Sequence, residues 1–401
     1  MIIKSKHIYT ENGVIEGFLE VEQGKIKAIF TSQPKEEYID YTNNYVIPGF
    51  IDIHTHGWGR GAFGHMGDVK SIQLMAEDLV KVGVTSFLPT TLVMPQEFLE
   101  DAAKAIKIGI ETQIQGAGSE ILGVHFEGPF LNKKYLGMQK LEGIKLPSVS
   151  LIDHYNKLSG NNLKLMTLAP ELEGSIEVIK HLKKLGITSS AGHTSATFDE
   201  IKKAKEAGLN HFTHTYSAMR GLHHRELGVV GAAMYFQDMY AEVGKQTGIT
   251  IKPEAFDILY RLKTDDKMIM VTDCIGFGGL PEGYEFYHYL RKAKFQTKNK
   301  ELIVTHDSGK IDKMDKTHYI QVKDLEMSFI KSVRAIVSRL DKGLQSISKI
   351  ASENPAKLIG VFDKKGSIKI GKDADFLILD NELNLLSTYC YGNEIILQEK
   401  V

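Results

Sequence analysis

The chain carries only two cysteines, Cys274 and Cys390, among 401 residues. Two thiols build no disulfide framework and imply no oxidising compartment. Net charge is nearly absent too: 49 Lys and Arg against 50 Asp and Glu leave −1. That balance supplies no electrostatic reason to bind nucleic acid or an anionic membrane. No apolar run reaches the roughly 18–20 residues of a membrane span. The opening Met1-Ile2-Ile3-Lys4-Ser5-Lys6-His7 lacks the apolar core of a signal peptide. Short repeats and low-complexity tracts are missing as well. What remains is an ordinary globular composition, 42% hydrophobic and 25% charged, long enough for one large domain and a small one. The expectation is a cytoplasmic protein whose partner is a small molecule, with neither nucleic acid nor membrane involved.

Against this plain background stands His54-Thr55-His56, directly after the apolar run Tyr45–Ile53. Side chains on a strand alternate faces, so both imidazoles point the same way and can reach one metal at the strand's end. Gly57 then lets the chain turn away. Glu127, His193, His214 and Asp273 each end another apolar, strand-like run followed by a loop. Six ligand-type residues at the ends of five such runs predict a shared site.

Eight short apolar segments can be read, near 49–55, 85–91, 121–127, 163–170, 186–193, 211–216, 240–245 and 268–273. Helical periodicity fills most of the gaps, as in Ser71–Val82, Phe98–Ile110, Leu172–Leu185, Phe198–Ala207 and Pro253–Leu262. Buried strands alternating with helices predict a parallel sheet. Eight repeats suit a closed (β/α)8 barrel, whose active site lies at the carboxyl ends of the strands, where all six residues fall. An open doubly wound sheet is the alternative, but it would have to gather ligands scattered from first strand to last. Residues 1–48 and 361–401 read instead as short strands with turn signals. Together they are expected to form a small β-sandwich domain beside a barrel spanning 49–360. Tyr284–Lys316 reads as a polar β-like excursion, and helices resume at Leu325–Leu340 and Leu344–Ile359, with Asn354-Pro355 interrupting the second.

Several stretches carry a resemblance. Val46-Ile47-Pro48-Gly49-Phe50-Ile51-Asp52-Ile53-His54-Thr55-His56-Gly57 is similar to the opening of the amidohydrolase superfamily. Within it, Gly123–Phe130 with its Glu-Gly-Pro, Ala191-Gly192-His193-Thr194, Thr213-His214, Gly221–Ala232 with its His-His-Arg-Glu, Val271-Thr272-Asp273 and Gly366–Asp375 resemble the N-acetylglucosamine-6-phosphate deacetylase family. The resemblance covers nearly the whole chain and implies a (β/α)8 barrel with a small β-sandwich from both termini.

Imidazoles and carboxylates without thiolates suit zinc, iron or manganese. Such an ion makes hydroxide available near neutral pH and polarises a carbonyl. The resemblance implies one or two divalent ions. Glu127, His193 and His214 would hold the principal one, and His54, His56 and a bridging Glu127 a second. Asp273 would join the metal set and act as general base, then acid. It further implies an amino-sugar phosphate substrate, a homodimer, and substrate contacts from Met138, Gln139, Ser217, Ala218, His224, Arg225 and Thr250. Arg225 would clamp the phosphate as a bidentate fork, with the backbone amides of Ser217 and Ala218, and His224 would reach across a dimer interface. The competing reading of Arg225 is a surface ion pair with Glu226.

Three positions depart from the family pattern. Ser217 stands for an asparagine, Thr250 for a histidine that would polarise the acyl oxygen, and Leu-Ala-Gly-Ser is absent around Tyr319–Lys323. Losing one oxyanion-type donor costs about 100- to 1000-fold in rate. These changes leave N-acetylgalactosamine 6-phosphate as an alternative substrate, and a catalytically silent sugar-phosphate sensor as an alternative function. Smaller signals are assigned plainer roles. Gly57-Trp58-Gly59-Arg60-Gly61 lacks the ending of a phosphate loop and is expected to be mobile over the metal site. Cys274 should face away from the site, and His125 and His211 are expected to be structural. Trp58 either lines the mouth or packs.

Overall fold

The computed structural model describes residues 1–244, 250–276, 280, 282–288, 292–299, 301–314, 328–340 and 343–395. Eight parallel strands run Phe50–Thr55, Val84–Thr91, Val124–Glu127, Leu163–Leu168, Thr188–Ala191, His211–Phe212, Tyr240–Val243 and Met268–Met270. Each pairs with the next in chain order. The first two are buried along their whole length, as a parallel sheet covered on both faces requires.

Helices cover the outside: Val69–Leu79, Gln96–Thr112, Val149–Leu158, Ser175–Leu185, Phe198–Ala207, Gly228–Tyr235, Pro253–Lys267 and Phe329–Leu340. Ser175–Leu185 shows the logic. Val178, Ile179 and Leu182 fall on one face and are buried, while Lys183 and Lys184 sit in the last turn before Gly186 ends it in the left-handed region at φ 70°. Each such apolar side chain contributes roughly 1.5–3 kcal/mol on burial. Phe198–Ala207 opens with a capping box, Thr197 and Glu200 each bonding the other's backbone.

The sheet closes. Asp273 N donates to His54 O at 2.8 Å and His56 N to Cys274 O at 2.8 Å. Beneath them Thr272 Oγ1 donates to Asp52 Oδ2 at 2.5 Å. The last strand's exit is therefore stitched to the first strand, and the molecule is a (β/α)8 barrel rather than an open sheet.

Both termini join one further sheet, ordered Asn393–Ile395, Leu385–Cys390, Phe376–Leu379, Tyr45–Pro48, Ile2–Thr10, Gly13–Glu22 and Lys25–Phe30, with Ile39–Asp40 beside Ile2–Thr10. Phe376–Leu379 pairs antiparallel with Tyr45–Pro48, the segment that leads into the barrel. The polar excursion is a four-stranded antiparallel meander, Glu285–His288, Ala293–Lys298, Glu301–His306 and Ile311–Met314.

One expectation is corrected. Asn354-Pro355 does not interrupt the late helix. Leu344–Ser348 widens into a π turn over Lys349–Glu353 and continues as Asn354–Leu358, with Pro355 in the first turn of that segment. The π turn lies just before Pro355, which has no N–H to return to the preceding turn, so the helix changes its hydrogen-bonding step there rather than ending. The Asn354 side chain also donates to Asp265 O at 2.7 Å and Met268 O at 2.8 Å, pinning the helix to the eighth strand.

Candidate metal centre at the barrel mouth

His54 lies near the end of the first strand and Glu127 ends the third, while His193, His214 and Asp273 lie just past the fifth, sixth and eighth. Two groups form, Glu127 with His193 and His214, and His54 with His56 and Asp273. Glu127 Oε1 lies 3.0 Å from both His193 Nε2 and His214 Nε2. The same carboxylate reaches the second group, with Oε1 3.6 Å from His54 Nε2 and Oε2 3.4 Å from His56 Nε2. Asp273 Oδ1 lies 3.6 Å from each of those two nitrogens. Glu127 thus stands between the groups.

The far side of each ring decides what the near side offers. His193 Nδ1 donates to Tyr135 O at 2.8 Å, His56 Nδ1 to Thr90 O at 3.2 Å and His54 Nδ1 to the Glu242 carboxylate at 2.6 Å. Rings protonated at Nδ1 present lone pairs at Nε2. Three lone pairs and two carboxylates therefore converge on one small volume. The His193 and His214 Nε2 atoms are only 3.0 Å apart, and those of His54 and His56 3.3 Å. This donor set fits divalent cations and, lacking thiolate, fits zinc, iron or manganese.

The electrostatics agree. Burial disfavours charge on the imidazoles, yet Asp273 and Glu127 carry His56 up to about 10, and Glu127, Asp273 and Glu242 carry His214 up to about 9. Burial likewise opposes charge on Glu127, but His193, His214 and His56 hold its carboxyl well below the usual range. A field that draws protons to this centre also favours a cation, which must displace them to bind.

His193, His214 and Asp273 all have left-handed backbones, with φ of 49°, 30° and 47°. Such conformations cost non-glycine residues of order 1–3 kcal/mol each and concentrate at functional sites. Gly137 approaches the ring of His193 so closely that a Cβ there would lie 3.3 Å from Cε1. Among the six residues Asp273 differs in access: its side chain is 32% exposed, against 8% for His214 and less for the others. It alone among them combines contact with the imidazoles and substantial solvent access.

Around this centre the expected substrate contacts are placed unevenly. Gln139 donates from Nε2 to Glu127 Oε2 and accepts from Val93 N at 2.7 Å. Met138, beside it, is exposed. Ser217 is exposed, and its amide donates to His214 O at 2.9 Å. Ala218 is left-handed at φ 48°. Arg225 and His224 are exposed, joined by an Nε–Nε2 contact of 3.1 Å. The ion pair of Arg225 with Glu226 does not form: the Glu226 carboxylate instead takes the amides of Phe198 and Gly228 at 2.8 and 2.9 Å. Thr250 is exposed. Gln246–Ile249, which lead into Thr250, and Tyr319–Lys323, where Leu-Ala-Gly-Ser is absent, lie outside the described residues.

The glycine-rich loop is also corrected. Arg60 binds Asp78 through its backbone amide and Nε, each at 2.9 Å, and Glu77 at 2.6 Å. Tyr284 Oη donates to Arg60 O at 2.6 Å. The loop is fastened, and Trp58 is buried in the barrel's hydrophobic core. Cys274 is also buried there. His125 is satisfied on both nitrogens, by Ile53 O at 3.1 Å and Thr167 Oγ1 at 2.8 Å. His211 is buried with Nε2 3.7 Å from Glu242 Oε2. Glu242 itself went unnoticed in the sequence. Its signal was a carboxylate inside the apolar strand Tyr240–Val243, where burial demands a partner.

A barrel of this kind with histidines and carboxylates at its carboxyl mouth defines a class, and the sequence agrees. Residues 45–395 match the Amidohydrolase family, and the chain belongs to it. It is a hydrolase acting on an amide C–N bond. It is similar to the N-acetylglucosamine-6-phosphate deacetylase of Bacillus subtilis (strain 168), 34% identical over 405 residues covering 98% of this chain and 96% of that one. The N-acetylgalactosamine-6-phosphate deacetylase of Escherichia coli O157:H7 is 27% identical over 394 residues, covering 98% of each. The solved N-acetylglucosamine-6-phosphate deacetylase of Pasteurella multocida matches with a TM-score of 0.83 at 28% identity, over 98% of this chain and 99% of that one. Among the described residues no helix is long and apolar enough to cross a membrane.

Proposed function

We propose that this chain hydrolyses N-acetylglucosamine 6-phosphate to glucosamine 6-phosphate and acetate. The observation that carries the reading is Glu127 set between two histidine groups whose Nε2 atoms converge, with the half-open Asp273 against one of them. The similarity to the deacetylases supports the substrate class. Glu127, His193, His214, His54, His56 and Asp273 would hold one or two zinc, iron or manganese ions, which would supply Lewis acidity toward the amide carbonyl and the attacking water. Asp273 takes the proton from that water and returns it to the departing amine, which leaves as the C–N bond breaks. Arg225 clamps the phosphate, and Met138, Gln139, Ser217, Ala218, His224 and Thr250 surround the sugar, with His224 contributed across a homodimer.

A panel of N-acyl amino-sugar phosphates, assayed for free amine, tests this directly. Release is expected from N-acetylglucosamine 6-phosphate, with Arg225→Ala raising KM strongly for the phosphorylated sugar while metal content holds. Faster release from N-acetylgalactosamine 6-phosphate would move the assignment to that sugar. Binding without turnover under any metal would indicate a silent sensor. An equal effect of Arg225→Ala on phosphorylated and unphosphorylated sugars would remove Arg225 as the clamp.

A further inference from the structure

Glu242 sits on the seventh strand between Ala241 and Val243 and is fully buried. A buried carboxylate is costly unless hydrogen bonds or charges compensate it. Here one oxygen, Oε1, accepts twice: from His54 Nδ1 at 2.6 Å and from the backbone amide of His214 at 3.0 Å. The two partners belong to different groups of the centre, His54 to the one with His56 and Asp273, His214 to the one with Glu127 and His193. The other oxygen faces His211 Nε2 at 3.7 Å.

Two consequences follow from this geometry. An acceptor at Nδ1 keeps the His54 proton there, so Nε2 turns a lone pair toward Glu127 and Asp273. The opposite tautomer would set a lone pair against the carboxylate and push a hydrogen into the centre. The second consequence concerns the backbone. His214 is held at φ 30°, and the bond to its amide fixes the turn that aims its ring.

We propose that Glu242 is a positioning residue that presents one ligand from each histidine group with the correct tautomer and aim. This rests on the metal reading above. The test is a zinc competition titration against a chelator, on wild-type protein and on folded Glu242→Leu and Glu242→Gln. Glu242→Leu should lose about 10- to 100-fold in zinc affinity, the usual cost of removing such an outer partner. Glu242→Gln keeps an oxygen that can accept both bonds and should recover part of the loss. A purely packing role predicts no such rescue, because leucine fills the site as well as glutamine does.

Folded Glu242→Leu with wild-type zinc affinity would overturn the assignment while leaving the metal reading intact. Wild-type protein that takes up no zinc, iron or manganese would overturn both. Should Glu242→Leu fail to fold, the imidazole ¹⁵N spectrum of zinc-loaded wild type decides. His54 protonated at Nδ1 supports the proposal, and His54 protonated at Nε2 overturns it.

Discussion

Two buried clusters of charge in this molecule look alike in composition and differ in whether they are complete. Beside the terminal sheet, Lys365 is buried among Asp375, Glu120 and Asp373 at 2.5, 2.6 and 3.0 Å. Lys25 adds a second cation to Asp373. Burial works against the Lys365 ammonium, but those carboxylates hold its pKa well above the ordinary range. Every negative group there meets a cation that the chain itself provides. At the barrel mouth the carboxylates of Glu127 and Asp273 meet imidazoles, and three of those rings are tied by Nδ1 so that they too offer lone pairs. A cluster that supplies its own cation is a clamp between segments. A cluster of donors alone calls for a cation from outside, and that difference marks the candidate metal centre.

Substitutions at the two clusters should therefore fail in different ways. At the mouth, Asp273→Asn should cut kcat by about 100- to 10,000-fold, because an amide neither accepts nor returns the proton. Its unfolding temperature should stay near wild type, and a fall in stability matching the fall in rate would argue against the proton role. Lys365→Met should do the reverse. Three carboxylates lose their shared cation, at a cost of about 3–5 kcal/mol in denaturant unfolding, while kcat per folded molecule is retained. A fall in kcat at full stability would merge the clusters.

The smallest effect is expected at Glu11. Burial opposes its charge, but Ser367, Lys369 and Lys372 hold its carboxyl down to about 2. A lowered folded-state pKa gives stability that is full above the unfolded value of roughly 4.3 and is lost as the pH falls through the folded value. Glu11→Gln should erase that part of the acid-unfolding curve between about pH 4 and pH 2, leaving the curve near neutrality parallel to wild type. An unchanged acid limb would show that Glu11 is not held by these partners.

The barrel was legible because short, largely apolar segments alternate with helical periodicity, and the convergence of the six ligand-type residues was legible because each stands where such a segment stops. What was not legible depended on distant partners. The glycine-rich loop read as mobile, yet Asp78 and Tyr284 fasten it at Arg60. Arg225 and Glu226 are chain neighbours, and adjacency suggested a pair, but the helix start at Phe198 claims the glutamate. Pro355 read as a break because sequence does not show a preceding π turn. Glu242 was passed over because its reason for being buried lies across the barrel, at His54 and His214.

Zinc titration of chelator-stripped protein, wild type beside Glu127→Ala, tests the incompleteness of the mouth cluster most directly. Wild type should bind one or two ions per chain saturably, with its unfolding temperature rising as the sites fill. Glu127→Ala, having lost the carboxylate that stands between both groups, should bind most weakly and regain no activity. Stripped wild type that binds no divalent ion and hydrolyses its substrate at full rate would contradict the account.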